Sequence, residues 1–149
     1  MKYYNYEEFR EDTLALVGSF NAKKFDAIVG IARGGLILAH TVSEALQIRN
    51  VQTLRTELYD ATSKRDNFVL HDFTSLEGLS EVLVVDDIAD SGETLQKVMQ
   101  HLEKKYPSVH FSSATLFYKD TSVYEPTYWV RDATEWIDFF WESDFKVES

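Results

Sequence analysis

The chain has 149 residues, no cysteine, and 25 acidic against 15 basic side chains, for a formal charge of −10 at neutral pH. That length suits a single domain (1–149), able to bury roughly 68–70% of its unfolded surface without disulfides or thiolate metal sites. The charge repels polyanions and no apolar run reaches the length of a membrane span, so neither nucleic acid nor membrane is an expected partner, and a cytoplasmic location is expected.

Tyr6, Phe9, Thr13, Val17 and Phe20 recur at helical spacing, which predicts an amphipathic helix packed on a sheet. Residues 27–31 form an apolar run of strand length. The tight loop Arg33-Gly34-Gly35 follows, then a helix through Leu38, Val42 and Leu46. Two permissive glycines and a guanidinium at a strand's carboxyl end fit an anion site. On these residues alone a plain turn with a surface charge fits as well. Residues 50–57 read as another strand. Residues 59–78 then lose helical periodicity, with a polar tract from Asp60 to Asn67 and a break at Phe68-Val69-Leu70. A stretch of that length without structure is either a lid or a solvent-facing hairpin.

The richest segment follows. Val82 to Val85 are four consecutive aliphatics, the pattern of a strand buried on both faces of a parallel sheet, and the run ends in charge at Asp86 and Asp87. Asp90-Ser91-Gly92-Glu93-Thr94 turns the chain into a helix carrying Leu95, Val98, Met99 and Leu102 on one face. Hydroxyls and free N–H groups at a helix start favour a phosphate. Carboxylates beside such a cup need ribose hydroxyls, a divalent cation, or both to offset repulsion. The glycine spacings of a Walker loop and of a dinucleotide fingerprint are missing.

Residues 109–118 predict a further strand closed by Lys119-Asp120, and 128–130 a last short one. Residues 133–142 then crowd Trp136, Ile137, Phe139, Phe140 and Trp141 together. His40, His71, His101 and His110 share no metal-ligand spacing and are assigned structural roles.

The segment V-L-V-V-D-D-I-A-D-S-G-E-T resembles the phosphoribosyl-pyrophosphate (PRPP) motif of type I phosphoribosyltransferases. I-V-G-I-A-R-G-G-L is similar to the pyrophosphate loop of their 6-oxopurine branch, nearest its xanthine-guanine members, and Lys119 with Trp136-Ile137 and Trp141 to that branch's purine-binding hood. The chain departs from this pattern at Ala32, Asp120 and Phe140, where close relatives often carry serine, proline and proline.

The resemblance implies a doubly wound α/β fold. Its mostly parallel five-stranded sheet would have helices on both faces, with a mobile loop at about 59–78 and a small aromatic hood at about 128–145. It implies a cis peptide at Arg33–Gly34 and transfer of the phosphoribosyl group of PRPP to N9 of guanine, xanthine or hypoxanthine. Arg33 and Gly34 would meet pyrophosphate, Asp86 and Asp87 the ribose, and Asp90 to Thr94, including Ser91, Gly92 and Glu93, the 5′-phosphate. Asp90 would be the general base, Lys119, Trp136 and Ile137 the purine contacts, and Asp87 with Glu142 the ligands of Mg²⁺. A homodimer or homotetramer would be the assembly. The alternatives are a regulatory protein of the same fold that binds a nucleotide without turnover and, more remotely, a receiver-like signalling domain.

Overall fold

A computed structural model of the chain describes residues 1–58 and 68–148. In chain order its elements are β1 (Lys2–Tyr4), α1 (Tyr6–Ser19), β2 (Ala27–Ala32), α2 (Leu36–Leu46), β3 (Val51–Leu58), β4 (Phe68–Asp72), β5 (Glu81–Ala89), α3 (Glu93–Lys105), β6 (His110–Tyr118), β7 (Arg131–Asp132), β8 (Ile137–Phe139) and α4 (Phe140–Ser143).

Two aliphatic runs set the centre: Val82 to Val85 in β5 are fully buried, as are Ala27 to Val29 in β2. Side chains alternate across a strand. Leu83, Val85 and Ile28 therefore join one core with Phe9 and Leu16 of α1 and Leu38 and Val42 of α2. Val82, Val84 and Val29 join a second core with Leu95, Val98, Met99 and Leu102, the predicted stripe of α3. Asn5 and Glu8 close a reciprocal capping box at the start of α1. The buried face of α1 is Phe9, Asp12, Thr13 and Leu16, while Tyr6, at the edge of the predicted stripe, is 56% exposed. No helix among the described residues is long and apolar enough to cross a membrane.

The fold is the expected α/β sheet with helices on both faces, but the sheet has six strands where five were expected, in the order β4-β3-β2-β5-β6-β7. The added strand, β4, pairs antiparallel with β3 on the outer edge and occupies part of the segment expected to be loop. Its five residues are all half-buried, so no alternation of apolar and polar residues marks them in the sequence. Leu76, beyond it, is fully buried. The first part of the expected mobile loop, 59–67, lies outside the described residues. The strand expected at 128–130 is a single bridge at Tyr128 followed by β7. A second, two-stranded sheet, β1 with β8, was not foreseen.

Asp72 ends β4 and ties it to α3. Its carboxylate accepts from the Thr74 amide at 2.7 Å and hydroxyl at 2.6 Å, and contacts His101 Nε2 at 2.8 Å and Lys105 Nζ at 3.0 Å. Burial pushes this carboxyl up, but the Thr74, His101 and Lys105 contacts together outweigh it and hold it at about 2. The ionised carboxylate therefore adds stability that is complete above about pH 4 and is lost as pH falls through 2. Asp72→Asn is expected to cost about 2 kcal/mol at pH 7, with the gap to wild type closing in acid. Urea unfolding at pH 7 and pH 3 measures both.

Candidate active site

The crevice opens where two neighbouring strands part. β2 and β5 pair in parallel only as far as Gly30 with Val85, whereas β5 stays paired with β6 to Ala89 and Tyr118. At this gap the strand order reverses, the place where open α/β sheets bind ligands. Asp86 and Asp87 lie inside β5 and not at its end, because β6 continues to satisfy its backbone beyond the charged pair.

Glycines bring the opposing loop against this pair. A Cβ on Gly35 would sit 2.5 Å from the Val85 carbonyl oxygen and 2.9 Å from that of Ile31, and one on Gly34 would collide with the Asp87 carboxylate. The cis peptide is Ala32–Arg33, one bond earlier than the resemblance implied. The acidic pair is bonded mainly to backbone: the Asp87 amide donates to Asp86 Oδ1 at 2.9 Å, and the Ile88 amide to Asp87 Oδ1 at 2.8 Å. Burial pushes Asp87 up to about 6, with the charge of Glu142 adding to it. Burial and the charge of Asp87 raise Asp86 well above the usual carboxylate range.

Asp87 is a common wall of three cavities. The largest, about 850 Å³, is lined by Arg33, Gly34, Asp86 and Thr94, and also by Trp141 and Lys146. Neither Arg33 nor Lys146 has an ion-pair partner among the described residues. A second, about 200 Å³, is the cup formed by Asp90, Ser91, Gly92 and Thr94. Gly92 there has φ +81°, and any side chain on it would run into Ser122. The Val123 amide donates to the Ser91 carbonyl at 2.8 Å, fixing the loop after β6 over the cup. The 13-residue α3 starts at Glu93 with no side-chain cap from Gly92, leaving its positive end turned to the cup. Glu93 itself borders none of the three cavities.

The third cavity, about 300 Å³, is lined by Asp90, Lys119, Trp136, Ile137 and Glu142 together with Asp87. Lys119 Nζ lies 3.6 Å from Asp90 Oδ1, with both side chains half-exposed. The crowded aromatics divide here. Ile137 and Phe139 are buried in the core, Phe140 and Trp141 pack against it, and Trp136 is 71% exposed on the cavity wall. Glu142 borders this cavity and the largest one.

Sequence reasoning missed Lys146 and the indole N–H of Trp141, which is buried without a hydrogen-bond partner among the described residues. A lysine four residues beyond Glu142 in an acidic tail was the available clue to the first.

A buried carboxylate raised to about 6 makes folding less favourable as pH rises from about 4 to 6, because over that range the folded state holds the extra proton. Above pH 6 the full cost of the charge is present. Without ligand, Asp87→Asn is expected to melt several degrees above wild type at pH 8, with a smaller gap at pH 5 and a nearly closed one at pH 4, which scanning calorimetry at the three pH values checks.

Residues 12–148 match the phosphoribosyl transferase domain family, and the chain belongs to it. Over 144 residues it is 32% identical to a xanthine-guanine phosphoribosyltransferase of Idiomarina loihiensis, covering 94% of this chain and 86% of that protein. Among solved structures, a xanthine-guanine-hypoxanthine phosphoribosyltransferase of Helicobacter pylori is 34% identical with a TM-score of 0.86, covering 96% of this chain and 94% of that one. A purine phosphoribosyltransferase from Pyrococcus horikoshii is 30% identical with a TM-score of 0.84, covering 99% and 97%.

Proposed function

We propose that the protein transfers the 5-phosphoribosyl group of PRPP to N9 of a 6-oxopurine, releasing pyrophosphate and the nucleoside monophosphate. The observation that carries this reading is the Lys119–Asp90 pair on the wall of the 300 Å³ cavity. It presents a donor and an acceptor side by side. O6 and N7–H of an oxopurine are neighbouring groups on one edge of the base, one accepting and one donating, so the pair complements them. Adenine would turn its 6-amino donor toward the ammonium, leaving a donor facing a donor. The exposed ring of Trp136 supplies a face for stacking, and Ile137 closes the cavity behind it.

The remaining cavities suit the other substrate. The cup at Ser91, Gly92 and Thr94 takes the 5′-phosphate on the helix start. Asp86 and Asp87 take the ribose hydroxyls, and Arg33 with the Gly34 backbone faces the pyrophosphate. Among the described residues no three acidic or histidine side chains converge on a point that would hold a metal by protein ligands alone. The donors that do border the crevice, Asp87 and Glu142, are hard carboxylate oxygens, and burial raises that of Asp87, which fits Mg²⁺ with substrate oxygens completing its shell. When bound, Mg²⁺ supplies positive charge to the departing pyrophosphate. Asp90 accepts the N7 proton as N9 attacks, and the carboxylates beside the ribose favour its developing positive charge.

Purified protein with PRPP and Mg²⁺ is expected to release pyrophosphate with guanine, hypoxanthine or xanthine and not with adenine, a selectivity that a site built to hydrogen-bond its substrate can carry to as much as ~10⁴. Lys119→Ala should lose that selectivity, and Trp136→Ala should raise the purine KM. Adenine turnover equal to that of guanine would overturn the oxopurine reading, and PRPP binding without turnover of any base would leave a nucleotide-binding regulator.

Asp90→Asn is expected to lower kcat by ~10²-fold or more with the KM for PRPP nearly kept. Steady-state kinetics with guanine varied at saturating PRPP measures the first, and the converse titration the second.

A further inference from the structure

We infer that Asp12, on α1 and outside every cavity of the site, is a positioning residue that sets the purine wall. The inference rests on the reading of Trp136 and Ile137 as that wall. Neither residue belongs to the six-stranded sheet. Ile137 opens β8, whose only strand partner among the described residues is β1, in the register Lys2 with Ile137 and Tyr4 with Phe139. The Lys2 amide donates to the Trp136 carbonyl at 2.8 Å, so β1 also holds the backbone of the stacking residue. Where the base lies therefore depends on what fixes β1.

That anchor is one carboxylate oxygen. Tyr4 ends β1 fully buried, and its hydroxyl donates to Asp12 Oδ2 at 2.5 Å. Arg131, in β7 at the start of the hood, donates from Nε to the same oxygen at 2.6 Å, across 119 residues of sequence. The strand supporting the far end of the hood and the strand beginning it thus converge on Asp12, which is 6% exposed. Glu8, one turn earlier on α1, doubles the clasp: Lys2 Nζ lies 2.6 Å from its Oε2 and Arg131 Nη1 3.6 Å from the same atom.

The position of Tyr4 is passed on by packing. Its ring meets Phe117 edge-on at 5.0 Å, Phe139 at 5.8 Å and Trp141 at 6.0 Å. Phe139 lines the purine cavity. A charge-assisted contact shared by two strands holds direction as well as distance, since the guanidinium and the phenol approach one oxygen from different elements. Loss of the carboxylate would leave β1 and β7 tied to α1 only through the more exposed Glu8 and let β8 shift against the main sheet, with little change at Arg33, Gly34 or the cup on α3.

The test is steady-state kinetics of Asp12→Asn, Asp12→Ala and Tyr4→Phe, with melting temperature recorded for each and Trp136→Ala run alongside. The guanine KM should rise in the order wild type, Asn, Ala, by about tenfold for Ala, inside the ~10²-fold loss that an ångström of misplacement produces. The KM for PRPP should stay near wild type. Tyr4→Phe removes only the hydroxyl, keeps the ring packing, and should show the same selective rise in smaller measure even if an Asp12 variant fails to fold. Lower melting temperatures with both KM values unmoved would overturn the inference, as would a parallel rise in both. If Trp136→Ala leaves the guanine KM unchanged, the wall itself is misassigned and the inference falls with it. If Trp136→Ala raises that KM and the Asp12 and Tyr4 variants do not, the wall stands and only the clasp is refuted.

Discussion

Two adjacent carboxylates held out of water beside a glycine loop are the constraint around which the crevice is arranged. Burial raises both carboxyls above the ordinary carboxylate range, and the charge of Asp87 adds to it at Asp86 as that of Glu142 does at Asp87. Bonds to the amides of Asp87 and Ile88 offset part of that cost. Glycine at position 34 is the only residue that fits against the Asp87 carboxylate without displacing it. A pair so placed gains most from a partner bringing positive charge and hydroxyls together, and a sugar phosphate with its cation is such a partner.

Three cavities share Asp87, and two of them Asp86 as well, so one short stretch of β5 borders three chemically different spaces. A helix start and small residues favour phosphate in one. Arg33 and Lys146 line the largest, and Lys119 sits across from Asp90 in the third. The net charge of −10 is therefore no measure of the site, where Arg33, Lys119, Lys146 and the positive end of α3 lie together. Glu142 joins the two larger cavities, so a ligand in either changes the charge felt in the other.

The hood is built differently from the rest. Its second strand hangs on β1 and not on the main sheet, and its aromatic residues serve two ends. Phe139 stacks on Trp141 at 4.6 Å and joins the core, while Trp136, three residues earlier, is left bare to the cavity. Burial of neighbours on the chain thus leaves one ring bare on the cavity wall.

The sequence by itself determined the parts whose physics is local. The aliphatic run before Asp86, the apolar stripe of α3, the glycines at 34 and 92 and the contiguous acidic and hydroxyl segment are readable because strand, turn and helix signals depend on neighbours in the chain. The reversal of strand order between β2 and β5 fits the doubly wound sheet that the resemblance implied. Only the tertiary structure decided where pairing stops. β5 runs on through two aspartates because β6 accompanies it, and β4 forms from five half-buried residues because β3 offers an edge. β1 exists as a strand because β8 returns from the other end of the chain. Asp12 looks in the sequence like one more acidic residue of an amphipathic helix. Its burial between Tyr4 and Arg131 comes from contacts separated by 8 and 119 residues, and no periodicity records a contact of the longer kind. Trp136 and Trp141 are likewise the same residue type in one segment, and their opposite exposures were settled by which of them the fold brought against Tyr4 and Phe139.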